Sequence, residues 1–348
     1  MLPPEVVLDR WVKAQIDSGR RLAGCVEKLN IDQVEPPSFR SFLYFVQEAM
    51  NAALRSETVG ASGGVAHPPF HFDYLQVDDN TANAYAFQHG GFAFITVTLP
   101  LVELLWRLSQ LLGNSSLVVQ LFHLGDGIVR PEALQGFLFQ IQLSFLISHE
   151  YTHHVHRHGV VDGGVNGVWT EFLHDEGSGS IDSQAEELDA DAYAAYLVLG
   201  NFIGGAGRQG ALVQLGQQGL ARNDADQLLL KCFLLAVTAF FCARWPEHIE
   251  MTSIRHLRHP PAPVRIEYAI RVTKMWCRQN GSIPESWFSA EQLQSLFRVA
   301  AQLIGGTAGQ AWDAQITFLQ SKDGAEYGRE LFERFEAVRQ KQHGPREH

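Results

Sequence analysis

The stretch 148–159, SHEYTHHVHRHG, packs five histidines and one glutamate into twelve positions. Within it His149, Glu150 and His153 spell H-E-x-x-H. On a helix, residues four apart lie one turn above the other on the same face. Both imidazoles then reach one zinc ion while the glutamate beside them addresses a water. That chemistry exists only if the stretch is helical, so the secondary structure leading into it decides the fold.

Two patterns compete there. Residues 139–145, FQIQLSF, alternate strictly, as a half-buried strand does. Over a longer window, Leu134, Phe137, Leu138, Ile141 and Phe145 make an i, i+3, i+4, i+7 stripe. Pro131 is well placed to open a helix in its first turn, where the missing N–H costs nothing. The longer stripe predicts a helix running through the histidines. His156 then shares the ligand face one turn beyond the metal, either lining a cleft or serving as a spare ligand. His154 and His158 are rotated away, as solvated or capping residues near a helix C-terminus, where a positive imidazole is favourable.

Two histidines need a third ligand. Downstream, EELDADAYAAY sets Glu187 and Asp191 one helical turn apart. A carboxylate from a second helix gives a His₂Glu set, a standard catalytic zinc arrangement with the fourth position open to water. Asp191 then lies near enough to hydrogen-bond a ligating imidazole and fix its tautomer. Glu186 is the rival ligand, but it is rotated by about 100° from Glu187. Standing alone, this acidic run reads as a solvated face; after an H-E-x-x-H helix it reads as a ligand source.

Working outward, apolar periodicity predicts helices over residues 5–29 and 38–54, then a loop over 57–69. The runs FDYLQV and GFAFITVTL are β-branched and aromatic and read as strands. Helices are expected again over 99–112, 183–202, 224–244, 264–278, 290–303 and 325–342, with 204–219 breaking the pattern. The glycine-rich segment 160–182, holding His174, Asp175 and Glu176, is a loop between the two ligand helices, either a lid or a plain surface loop. The fold class is α+β, mainly helical.

Composition narrows the function. Thirty-eight acidic residues against 27 basic ones give a net charge of −11, which repels a phosphate backbone and excludes nucleic acid as the expected partner. Cys25, Cys232, Cys242 and Cys277 form no C-x-x-C pair and sit in or near apolar stretches, as reduced buried thiols do. The opening MLPPEVVLDRWVKAQ is interrupted by Glu5, Asp9 and Arg10, unlike a secretory signal, so a cytoplasmic location is expected. Residues 228–243, LLLKCFLLAVTAFFCA, fall short of the roughly 20 needed to span a bilayer and carry Lys231. A buried core helix is expected, with peripheral membrane association as the alternative.

H-E-x-x-H followed by E-x-x-x-D resembles the gluzincin metallopeptidases, in particular the HtpX and CAAX prenyl-endopeptidase type and their small soluble, minigluzincin-like relatives. Two further stretches carry the resemblance. Asn83-Ala84-Tyr85-Ala86 precedes GFAFITVTL, and His259-Pro260-Pro261 is followed by Arg265-Ile266. The four motifs keep the family's order over roughly residues 73–275.

The resemblance implies a zincin-like core, with a small sheet bordering the active-site helix, over 71–280; it does not reach residues 1–70 and 281–348, which are expected to be helical extensions particular to this chain. It implies one catalytic zinc held by His149, His153 and Glu187, Glu150 as the base, and Asp191 behind a ligand. His259 and Arg265 would meet the developing charge on the carbonyl oxygen. The strand at Asn83, Ala84, Tyr85 and Ala86 would bind an extended peptide by adding it to the sheet. HtpX-type enzymes are embedded in membranes by long apolar helices, which this sequence lacks, so their prenyl-protein substrates do not carry over.

The expected function is a zinc-dependent endopeptidase, soluble or peripheral, acting on protein or peptide substrates. One rival is a metal-binding peptide-recognition or regulatory protein with little turnover; another is an interaction module with structural zinc. The open fourth position and Glu150 favour the enzyme.

Overall fold

The computed structural model describes residues 2–17, 25–60, 68–78, 80–121, 129–158, 169–170, 179–243, 251–280, 283–304 and 315–343. The chain divides into two compact units, Met1–Leu104 with Glu150–Leu173, and Leu105–His149 with His174–His348. The architecture is α+β and mainly helical, as expected.

The first unit holds the sheet. Helix α1 (Pro4–Asp17) is followed by strand β1 (Cys25–Lys28), helix α2 (Pro37–Gly60) and strands β2 (Phe70–Val77), β3 (Ala84–His89) and β4 (Phe92–Thr98). A two-residue strand, β5 (Trp169–Thr170), completes a five-stranded sheet in the order β1-β2-β4-β3-β5. Only β2 and β4 run parallel. Gly90 and Gly91, at φ 58° and 84°, make the two-residue turn between β3 and β4. Positive φ at both central positions is what a hairpin turn of matching twist demands, and glycine meets it without steric cost.

β1 corrects the expectation of one helix over 5–29. α1 stops at Asp17, and Cys25–Lys28 pairs antiparallel with β2, Lys28 opposite Leu75. Gly19 and Gly24 interrupt the helical pattern there and were the available signal. α1 closes one face of the sheet: Trp11 stacks on Phe87 with ring centroids 3.8 Å apart, in a cluster with Val7, Leu8, Phe92 and Phe94. α2 reaches Gly60, beyond the expected end at 54. Its Asn51 amide donates to the Phe72 carbonyl at 2.9 Å and accepts from the Phe72 N–H at 2.9 Å, standing in for a neighbouring strand.

Helix α3 (Leu99–Gly113) leads from the first unit to the second, where α4 (Ser116–Leu121) follows. α5 (Pro131–Val155) is one continuous helix, and it settles the competition between periods. Its stripe Leu134, Phe137, Leu138, Ile141 and Phe145 is buried, but so are Phe139 and Leu143. A helix buried nearly all round displays an alternating run as readily as a stripe. Next come α6 (Ile181–Leu199), a π-helical turn (Gly200–Gly204), α7 (Gly207–Gln214), α8 (Arg222–Ala243), α9 (Ala262–Asn280), α10 (Ala290–Ile304) and α11 (Lys322–His343).

α8 lies against α5. Phe145 meets Phe240 and Phe241 edge-on at 5.8 and 5.7 Å, and the buried Gln142 amide donates to the Ala236 carbonyl. At 22 residues α8 is longer than its apolar run, and by length and composition it is sufficient to cross a bilayer. In the fold, 89% of its most apolar window is buried, the packing of a core helix. All four cysteines are free and buried.

Candidate metal centre

α6 starts at Ser180, whose hydroxyl accepts from the Ser183 N–H at 3.1 Å while the Ser183 hydroxyl accepts from the Ser180 N–H at 2.9 Å. This reciprocal cap fixes where the helix begins, and hence which side chains face inward. Gln184, Glu187 and Asp191 are buried; Glu186, the rival ligand, is only half-buried.

His149, 1% exposed, is held between two of these carboxylates. Its Nε2 lies 3.2 Å from Glu187 Oε2, and its Nδ1 lies 3.0 Å from Asp191 Oδ1. The two sides of the ring thus meet two different acids of α6. Asp191 is itself fixed by Arg265 of α9, whose Nε and Nη2 donate to Oδ2 and Oδ1, both at 2.7 Å. This is a forked, charge-assisted pair with neither charge exposed. The guanidinium carbon also sits 4.5 Å over the Phe241 ring, a further favourable contact for a buried cation.

Arg265 was expected beside a substrate oxygen; in the fold its Nε and Nη2 pair with Asp191, which in turn meets His149. His259 is half-buried, with Nε2 3.5 Å from Glu187 Oε2. It reaches that place because Gln184 donates to the carbonyls of Ile254 and Leu257, both at 2.7 Å, while accepting from the Tyr327 hydroxyl at 2.6 Å. The Gly179 N–H donates to the His256 carbonyl at 3.1 Å. Gln184 was not singled out in the sequence, although it follows the cap directly and, three residues before Glu187 and seven before Asp191, shares their face.

α5 carries Glu150 and His153 onward into the first unit, with His153 one turn beyond His149 on the same face. Glu150 and His153 are 1% and 2% exposed. This end of α5 is tied to the sheet: the His154 Nε2 lies 2.9 Å from the Phe94 carbonyl, and Phe70 packs on Tyr151 and His154. The small sheet therefore borders the C-terminal end of α5 at Tyr151 and His154. His154 and His158, expected as solvated or capping residues, are 2% and 1% exposed, and the His158 N–H caps the His153 carbonyl. The reason for the burial is the sheet on one side and the fold-back of the chain after α5 on the other. His158 Nδ1 lies 3.0 Å from His153 Nδ1, and the His156 ring is edge-on to His158 at 5.6 Å.

The expected peptide seat is real strand but not free edge. Ala84, Tyr85 and Ala86 are in β3, buried, with Asn83 immediately before it. The Asn83 side-chain oxygen accepts from the Ala84 N–H, and the Asn83 backbone N–H donates to the Thr98 hydroxyl. β3 pairs with β4 on one side, while Tyr85 and Ala86 pair on the other with Thr170 and Trp169 of β5. Of the expected lid, 179–182 lead into and begin α6, while 160–168 and 171–178, including His174, Asp175 and Glu176, lie outside the described residues.

Two imidazoles and a carboxylate, all buried and with one histidine already held at Nδ1, are a donor set of the kind zinc takes. Neither a protein-family model, nor a curated protein, nor a solved structure matches the chain.

Proposed function

We propose that this chain is a zinc-dependent endopeptidase of the gluzincin kind, hydrolysing peptide bonds in protein or peptide substrates. The observation that carries the reading is the grip on His149, with Glu187 at Nε2 and Asp191 at Nδ1. One acid stands where a fellow ligand would be, and the other where a ligating histidine is oriented from behind. The two acids were singled out from their spacing and from the H-E-x-x-H motif before them, neither of which contains their contacts, so their meeting on one imidazole is independent support.

His149, His153 and Glu187 would hold the ion. Bound there, zinc would bring the pKa of a water toward about 7 and polarise the substrate carbonyl. Glu150, adjacent to His149 and buried, takes the proton from that water and returns it to the leaving amine. His259 donates to the carbonyl oxygen as charge gathers on it. Arg265 and Asp191 hold His149 in the required tautomer, and burial of that pair keeps water from competing for it.

A second reading, a metal-binding recognition or regulatory protein with little turnover, is favoured by one observation. β5 pairs with Tyr85 and Ala86, where an extended peptide would otherwise add to β3.

The test is the full chain against its Glu150→Gln variant, with zinc counted and cleavage of an unstructured protein followed. The enzyme reading expects equal zinc and a cleavage rate lowered by about 100-fold or more, the scale of a lost general base. Zinc in both with no cleavage by either supports the second reading. No zinc in either, or identical cleavage by both, overturns the proposal.

A further inference from the structure

α5 ends on a Schellman turn. Arg157 takes a left-handed backbone, φ 53°. The His158 N–H donates to the His153 carbonyl at 3.2 Å, and the Arg157 N–H to the His154 carbonyl at 3.3 Å. Those paired bonds define this stop, and a side-chain contact between the first residue past the left-handed one and the residue whose carbonyl it caps commonly accompanies it. That contact is usually apolar. Here it joins His158 to His153: the Nδ1 atoms are 3.0 Å apart, the ring centroids 5.1 Å apart and the planes at 77°.

Two neutral imidazoles share such a bond only when one nitrogen carries hydrogen and the other offers a lone pair. If His158 were the donor, neutral His153 would carry its own hydrogen on Nε2 and have no lone pair left for a metal. If His153 donates from Nδ1, its Nε2 is free. We propose that His158 is the positioning residue for His153, accepting its Nδ1–H and so presenting the Nε2 lone pair to zinc. The inference rests on the zinc reading of His149 and His153 and deepens it.

The two ligands of α5 are then held alike at Nδ1 by unlike groups. His149 meets Asp191, a carboxylate fixed by Arg265. His153 meets a neutral ring delivered by the backbone turn that ends its own helix. A neutral acceptor orients the second ligand without placing another charge beside the ion. The sequence H-E-x-x-H-x-x-x-x-H places the orienting residue on the same short segment as the ligand it serves, so the cap and the site are one structure.

The test uses the full chain, its His158→Leu variant and its His158→Asn variant, in which Oδ1 takes the place of the ring Nδ1 and remains an acceptor. Zinc affinity is measured by competition with a chromophoric chelator, alongside thermal unfolding of the zinc-free proteins. The tautomer of His153 is read in histidine-¹⁵N-labelled protein from long-range nitrogen–proton correlations. The expected result is zinc binding about 10- to 100-fold weaker for His158→Leu. It recovers in His158→Asn, with His153 carrying Nδ1–H in the parent and the Asn variant and losing that preference in the Leu variant. Parent-like zinc affinity in His158→Leu would overturn the proposal. So would equal weakening in both variants with the His153 tautomer unchanged, since that is what a packing role produces. A parent that takes up no zinc defeats the endopeptidase reading, and the spectra then decide the contact alone: Nδ1–H on His153 supports the proposal and Nε2–H overturns it.

Discussion

Asp191 serves two partners at once, holding His149 with one oxygen while both oxygens receive Arg265. Asp191→Asn keeps the shape and removes the charge, so zinc affinity should fall about 10- to 100-fold in a chelator competition. Arg265→Met leaves the acid buried without its cation. Unfolding in denaturant should then show a loss of about 3–5 kcal/mol, the cost of breaking a buried pair from one side. The proposed ligands were legible because a helix converts a spacing of four into a shared face, a rule that holds wherever the helix lies. The surplus histidines were not legible in the same way. His154 is buried because Phe94, sixty residues away in the chain, offers its carbonyl, and no local pattern announces that. Arg265 shows the reverse case, where a motif located the residue and only the fold shows its pairing with Asp191.

At the scale of elements, the ends of helices do as much as their faces. Arg157 occupies a backbone conformation that favours glycine, so Arg157→Gly should raise stability by about 1 kcal/mol in thermal or denaturant unfolding. Gln184 satisfies two carbonyls and a hydroxyl with one amide. Gln184→Leu strands all three partners and should cost about 2–4 kcal/mol in denaturant unfolding. The long helices were readable from period and caps, and α5 was decided by Pro131 and the longer stripe. β1 was not read because it pairs with β2 some fifty positions away, and four residues carry too little periodicity to outweigh the helical pattern before them. β5, with two residues, has no period at all.

Across the whole molecule, the four cysteines report on burial collectively. Desolvation pushes the thiols of Cys25, Cys242 and Cys277 up from 9.0 to about 12, and pushes Cys232 up as well. A thiol whose pKa is raised by folding favours the fold while it stays protonated. That contribution is complete below about pH 9 and is lost as the pH climbs toward 12. Denaturant midpoints should therefore fall between pH 8 and pH 10.5, and Ellman's reagent should find no reactive thiol at pH 8 until the chain unfolds. A thiol that reacts in the folded protein at pH 8 would contradict the packing of β1, α8 or α9, whichever carries it. The same burial has a practical side. Val213 on α7 is 52% exposed, so Val213→Cys would offer a maleimide dye its one accessible attachment point with every native thiol left in place. The labelled chain would differ from the natural one by a single surface side chain.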